Sequence, residues 1–486
     1  MVLIKAKKIC FLVLLIFLIG FFLRFFRIQE NLLFNPEHGR DFLAIKEAIF
    51  SRQLPLLGPP GSHEFYQGPL YYWLMMPLML VFGFQPLIGA WVGIMAGSLI
   101  ILLNYWVIEK VFNQKVALFS SLIIAISPIW IYFSREGRYY FLTVITFYLL
   151  FWFLYELWQG KGKFLFWAGL AYGAMLSFHL GSIALAPVIA LILWVKRKKL
   201  DRKDIGRGLI GFLIPNLPLL VYDLTHGLTM SSKLLVWIPY RIIGFFGFYP
   251  KNNLTPEVLR ENVQAFLKFF GENFTMHEVR LDLLLIGVIV GFLIFNYKKA
   301  FTFKGRKDFG WFFLFWTLLL FSLALFVHGS PPRHYFISIL PLPIIISSLF
   351  LEKLWRSYLG KALFIFFLLL MTFFNHRFFF DSPAFYAAAG DSLLFFKSQE
   401  KIVRTIIIDA QNRPFNLKRV GEFDYYPGEH AQNYRYLAWW MGNEPSEEQQ
   451  KLSYTIYEDL NRLPADEEGK VKIFEVGRVV ILKEEK

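Results

Sequence analysis

The stretch Asn35-Pro36-Glu37-His38-Gly39-Arg40-Asp41 holds the densest chemistry in the chain. Asn35 can cap a helix, Pro36 suits its first position, and Glu37 and Asp41 then fall four residues apart on one face. Like charges at that spacing repel by roughly 0.2–0.5 kcal/mol on an exposed helix, so a compensating partner is expected. A divalent cation bridging Glu37 and Asp41, the adjacent Arg40, or a shared proton would each serve. Each leaves a carboxylate that can take a proton from an acceptor hydroxyl or amine. The plain alternative is that Glu37 only favours the positive end of a helix while Asp41 is solvated. No cofactor follows from the motif beyond that divalent metal.

Two further groups have side chains suited to a substrate. Glu64, Tyr66, Gln67 and Tyr71 lie in Glu64-Phe65-Tyr66-Gln67-Gly68-Pro69-Leu70-Tyr71-Tyr72-Trp73, where rings could stack on a sugar and polar groups bind its hydroxyls. The same pattern would serve as an aromatic belt at a membrane surface. Arg135 and Arg138, in Ser134-Arg135-Glu136-Gly137-Arg138, and Arg333, in Pro331-Pro332-Arg333-His334-Tyr335, carry forked guanidiniums that suit a phosphate at headgroup depth. For any single arginine at a span end, snorkelling is the default. His179, His226, His334 and Tyr335 could add hydrogen bonds, although His179 at a helix end equally fits a satisfied core position.

The scaffold for these groups is a membrane one. Hydrophobic residues make up 56% of the chain and charged residues 18%, too apolar for an ordinary soluble domain. A hydrocarbon core of roughly 30 Å takes about 20 apolar residues per helix, and the hydropathy predicts about eleven spans between Ile9 and Phe374. The first lacks a cleavage pattern and reads as an uncleaved helix. Lys and Arg crowd every second gap, including Lys110 to Lys115, Lys196 to Arg207 and Lys353 to Lys361, which the positive-inside rule places in the cytoplasm. The net charge of +15 then belongs to loops facing anionic lipid, not to a nucleic-acid surface. Cys10 is the single cysteine, so no intramolecular disulfide or cysteine zinc site is available. The aromatic stretch Phe65 to Phe84 is apolar enough to span, but counting it would invert every later loop, so it is placed at the interface.

The acidic motif, the aromatic stretch and the three arginines fall in the base-poor gaps, hence outside. Also external are a segment from Asp223 to Arg280, with an amphipathic helix starting at Thr255-Pro256-Glu257, and a small α/β appendage. The expected division is a transmembrane domain over 1–375 and an external C-terminal domain over 376–486. Nucleotide sugars are cytoplasmic, and no Gly-rich phosphate loop follows a strand. A glycosyl donor used outside would arrive already in the membrane, as a lipid phosphate sugar.

The order of Glu37 to Asp41, the Gly-Pro-Leu-Tyr-Tyr-Trp segment, Ser127-Pro128 to Arg135, and Pro332-Arg333-His334-Tyr335 resembles the GT-C membrane glycosyltransferases. Within them it is most similar to the aminoarabinose transferase and protein O-mannosyltransferase group, over most of Phe11 to Phe350. The resemblance implies an all-α polytopic GT-C fold and an inverting transferase using a polyprenyl- or dolichyl-phosphate sugar. Its first-loop acid falls on Glu37 or Asp41; the family usually has Asp where this chain has Glu37. Relatives of the aminoarabinose type carry lysine where this chain has Gln67, so the phosphate role passes to Arg333. The expectation is a multi-pass protein of the plasma (inner) membrane, active on its external face toward an acceptor glycan, lipid or protein. A transporter or lipid-linked sugar flippase is the alternative, but it would place charges near the bilayer midplane, where these helices have few. A non-catalytic scaffold would have no need of the carboxylate pair.

Overall fold

The computed structural model describes residues 2–61, 65–246, 248, 255–276, 279–302, 308–326, 331–381, 394–421, 431–463, 470–476 and 479–485. Helix α1 (Val2–Phe25) is followed by the one-turn α2 (Ile28–Asn31) and by α3 (Pro36–Phe50). Then come α4 (Leu70–Val81), α5 (Ile88–Val111), α6 (Gln114–Ile126), α7 (Pro128–Glu136), α8 (Thr143–Trp158) and α9 (Phe164–Phe178). The chain continues through α10 (Ala186–Lys196), α11 (Arg202–Thr225), α12 (Thr229–Phe245), α13 (Pro256–Gly271) and α14 (Val279–Asn296). After α15 (Asp308–Phe326), α16 (Pro341–Leu354) and α17 (Tyr358–Phe380), the tail adds α18 (Phe396–Ala410) and α19 (Gln432–Trp440).

Among the described residues, 8 helices are long and apolar enough to cross a membrane, or 10 if each of two bent pairs counts as one span. This is fewer than the eleven expected; α9, one of two shorter apolar helices, has 15 residues. The chain is an integral, multi-pass membrane protein. Helix α4 has only 12 residues, too few to cross a bilayer. In the segment from Asp223 to Arg280, Thr255 caps α13 by accepting from the Val258 N–H, as the sequence implies. The same segment also holds α12, which its loop-like flanks had concealed.

The bend between α6 and α7, 59°, follows from Ser127-Pro128. Pro128 has no N–H for the Ile124 carbonyl, and the Ile129 N–H turns to the Glu272 carbonyl instead of Ala125. Both freed carbonyls are taken by Arg24 of α1, at 2.9 Å from Ile124 O and 3.2 Å from Ala125 O. Arg135 at the end of α7 reciprocates, donating to the Leu23, Arg24 and Phe26 carbonyls at 2.7–3.2 Å. An unsatisfied backbone group in hydrocarbon costs several kcal/mol, so this exchange is what permits a broken helix at membrane depth.

The tail forms a 4-stranded sheet in the order β1-β2-β4-β3, from β1 (Phe415–Val420), β2 (Leu452–Tyr457), β3 (Lys470–Val476) and β4 (Val479–Glu485). Strand β1 runs parallel to β2, and the other pairs are antiparallel. Its helices reach back to the segment between α1 and α5. Gln399 donates to Phe34 O at 2.8 Å, Tyr436 donates to Phe84 O at 2.6 Å, and the Tyr436 ring meets Phe42 edge-on at 5.3 Å. At Gly39 the backbones of α3 and α19 touch so closely that a Cβ would collide with Asn433 N.

Candidate active site

The acidic motif folds as its residue types dictate. Asn35 accepts from the His38 N–H at 3.1 Å, Pro36 is the first helical residue, and His38 Nδ1 closes the box on the Asn35 N–H. His38 Nε2 lies 2.8 Å from the Glu136 carbonyl, so Nε2 carries the proton and pins the start of α3 to the end of α7. Burial and the nearby Arg138 push His38 down to about 3, leaving it neutral.

The two carboxylates have separate partners. Glu37, with 43% of its side chain exposed, is ion-paired with the buried Arg138, which also donates to Asn35 Oδ1 at 3.2 Å. Arg138 reaches this position because Gly137, with φ 67°, ends α7 in the left-handed conformation. A Cβ there would collide with Gly89, so glycine is required on both counts. Asp41 is 2% exposed and its Oδ1 accepts from Arg40 Nε at 3.0 Å, Arg40 Nη2 at 2.9 Å and the Tyr72 hydroxyl at 3.1 Å.

Their acidities diverge. Burial works against ionised Glu37, but Arg138 and Arg40 outweigh it and hold the carboxyl down to about 2. For Asp41 burial prevails over the same two arginines and pushes the carboxyl up. The repulsion expected at this spacing is thus met by one arginine for each acid. Among the described residues no three His, Cys, Asp or Glu side chains group to hold a metal.

A third arginine lies close by. Arg333 donates to Glu272 at 2.6 Å, and its guanidinium sits 5.3 Å from the Tyr132 ring. The adjacent His334 stacks on Tyr140 at 5.2 Å, and Tyr140 itself lies under Arg138 at 5.5 Å. His179 packs edge-on to His334 at 5.8 Å and to Tyr335 at 6.1 Å, and Tyr71 meets Tyr139 at 5.9 Å. Glu37, Arg40, Asp41, Tyr71, Arg138, His179, Arg333, His334 and Tyr335 therefore fall in one neighbourhood.

Other expected site residues do not join it. Arg135 is fully buried against the end of α1 and serves the backbone. Gln67 is buried too, its Oε1 accepting from the Leu180 N–H at 2.7 Å, which fastens the aromatic loop to the turn after α9. His226 hydrogen-bonds Tyr222 O and stacks on the Tyr222 ring at the end of α11. Tyr66 forms a bridge with Pro60, and Glu64 lies outside the described residues. Three polar residues of the neighbourhood were missed: Glu136, which accepts from the Tyr140 hydroxyl at 2.5 Å, Glu272, and Tyr72 on Asp41. The available signal was that Glu136 and Glu272 are acids beside helix ends in gaps expected to be external.

The model of the dolichyl-phosphate-mannose-protein mannosyltransferase family matches residues 66–222. No curated protein matches the chain in sequence. Among solved structures, ArnT from Cupriavidus metallidurans bound to undecaprenyl phosphate is similar with a TM-score of 0.57 and 12% identity, covering 99% of this chain and 98% of that one. The apo state of the same protein gives 0.56 at 13% identity, over the same shares of the two chains. The Archaeoglobus fulgidus oligosaccharyltransferase in its apo form gives 0.50 at 14% identity, over 89% of this chain and 60% of that one. Over almost its whole length, C-terminal sheet included, the chain thus has the ArnT-like GT-C fold.

Proposed function

We propose that this chain is an inverting glycosyltransferase that moves a sugar from a polyprenyl-phosphate donor to an acceptor on the external face of the membrane. The observation that carries the reading is the split pair on α3: one carboxylate ion-paired with Arg138, the other buried and more basic, with Arg333 in the same neighbourhood. In this scheme Asp41 takes the proton from the acceptor hydroxyl or amine as the new bond to the anomeric carbon forms. The bond from that carbon to the phosphate oxygen breaks, and its electron pair leaves with the lipid phosphate. Arg333 and Arg138 offset the charge developing on the departing phosphate, and Glu37 holds Arg138 in place. The tyrosines around Asp41 supply the aromatic wall for the sugar. Support comes from the likeness to ArnT, whose structure contains undecaprenyl phosphate. The buried arginines Arg24 and Arg135 are occupied by backbone carbonyls and offer a transport path nothing to bind.

The test is release of free lipid phosphate from a panel of polyprenyl-phosphate sugars by the purified protein. Arg333→Lys keeps the charge but loses the fork, and donor affinity should fall roughly tenfold to a hundredfold, in line with a hydrogen bond to a charged group. No release with any donor, together with unaltered lipid-phosphate binding by Arg333→Lys, would remove the proposal.

A further inference from the structure

Helices α10 and α11 are consecutive and joined by a tight turn, Arg197–Lys199, followed by Leu200 and Asp201, yet α11 packs on α9. Glycine explains the preference. A Cβ on Gly169 would collide with Gly208 O, and one on Gly211 with Phe166 O, so α9 and α11 approach backbone to backbone. The space this opens between α10 and α11 is a cavity of about 490 Å³, walled by apolar side chains such as Leu165, Leu193, Ile205 and Phe212. Trp194 and Ile205, 61% and 58% exposed, form its bilayer-facing rim. An apolar slot of this kind offers water no polar partners, so a hydrocarbon chain is the occupant its walls favour.

The end of the slot beside Trp194 is basic. Arg197 lines it, anchored by a 2.8 Å hydrogen bond to Trp194 O and lying 4.7 Å from the Trp194 ring. Lys198, Lys199, Arg202 and Lys203 follow within the next few residues. The two acids of this link are committed elsewhere: Asp201 caps α11 on the Asp204 N–H, and Asp204 pairs with Arg207. We propose that the slot is a binding site for one anionic phospholipid of the adjoining leaflet, an acyl chain lying between α10 and α11 and the headgroup phosphate held by Arg197 and the neighbouring bases. Basic pockets between membrane helices select anionic headgroups in this way. The site is separate from the carboxylate pair on α3.

Trp194 provides the reporter. The full-length protein is placed in phosphatidylcholine nanodiscs containing a small fraction of either phosphatidylglycerol or phosphatidylcholine with brominated acyl chains, and the Trp194 signal is taken as the difference from Trp194→Phe. Half-maximal quenching should need roughly fivefold less brominated phosphatidylglycerol than phosphatidylcholine, the preference of a single basic group near an anionic headgroup, or a larger multiple if several contribute. Combined Arg197→Gln, Arg202→Gln and Lys203→Gln, all exposed changes, should bring the two lipids together. Ala168→Phe, which fills the slot, should weaken quenching by both. Equal quenching in the wild type, or a preference that survives loss of the charges, overturns the proposal. So does displacement of brominated phosphatidylglycerol by a small amount of undecaprenyl phosphate, which would give the slot to the carrier lipid.

Discussion

Arg135 donates to the main-chain oxygen of Arg24, while Arg24 holds the two carbonyls that Pro128 leaves free ahead of Arg135's own helix. The two arginines lock the end of the first span to the broken one, and the start of α3 is then fixed to the same break through His38 and Glu136.

Arg24→Leu should therefore be severe. It strands the Ile124 and Ala125 carbonyls, each worth about 1–3 kcal/mol when left unpaired. Arg24→Lys, which can reach only part of the set, should lie between. Thermal unfolding in detergent, with the yield of folded protein, gives the ranking; a wild-type midpoint for Arg24→Leu would show that the bend is held by other contacts.

The two acids should respond differently to pH. The folded-state value of Glu37 is lowered to about 2, so the stability from its ion pair is present above the ordinary carboxylate range and is lost as the pH falls through about 2. Its charge is constant near neutrality. Asp41 is raised, so a rate that needs ionised Asp41 climbs with pH as that carboxyl deprotonates. Asp41→Asn should cut turnover by roughly a hundredfold to ten-thousandfold and flatten this limb, while donor binding changes little. Glu37→Gln should keep the limb and weaken donor binding by freeing Arg138. A full pH limb in Asp41→Asn would move the base elsewhere.

Gly39→Ala reverses the usual sign of that substitution. In a helix interior alanine gains about 1 kcal/mol over glycine. Here the added methyl would collide with Asn433 N, and overpacking of this kind costs about 1–3 kcal/mol. A lower unfolding midpoint together with reduced turnover is the expected result; a higher midpoint would mean that α19 is free to move off α3.

Sidedness can be read with single cysteines on a Cys10→Ser background. Asp41 and Arg138 are buried, so the exposed Gln53 is the better external position, and Lys199 the better cytoplasmic one. An impermeant reagent on intact cells should label Gln53→Cys and spare Lys199→Cys. The opposite pattern would invert the topology and remove the reason for a lipid-borne donor.

Local rules made much of this structure legible. The cap at Asn35-Pro36, the amphipathic α13, the apolar spans and the α/β tail all follow from short-range pattern, because period and capping are encoded within a turn or two. What escaped depends on long-range pairing. Nothing near Arg135 in sequence says that its fork meets the carbonyls of α1, so it looked like Arg138, three residues later. Gln67 occupies a position where a phosphate ligand was weighed, yet the Leu180 N–H, 113 residues on, claims its side chain. Helix α12 was not separated out of the segment from Asp223 to Arg280, where only the helix starting at Thr255 was expected, because its exposed apolar residues, among them Leu235 and Val236, leave no clear polar face at helical spacing.

The contact of Asn433 with Phe34 joins residues 399 positions apart. At about 5–20 residues per second, a ribosome needs roughly 20–80 s to make the intervening chain. Through that interval α3 stands with its rear wall missing, Phe34 and Phe42 not yet covered by Tyr436. The acid-bearing helix is thus made early but seated late, only once α19 has been synthesised.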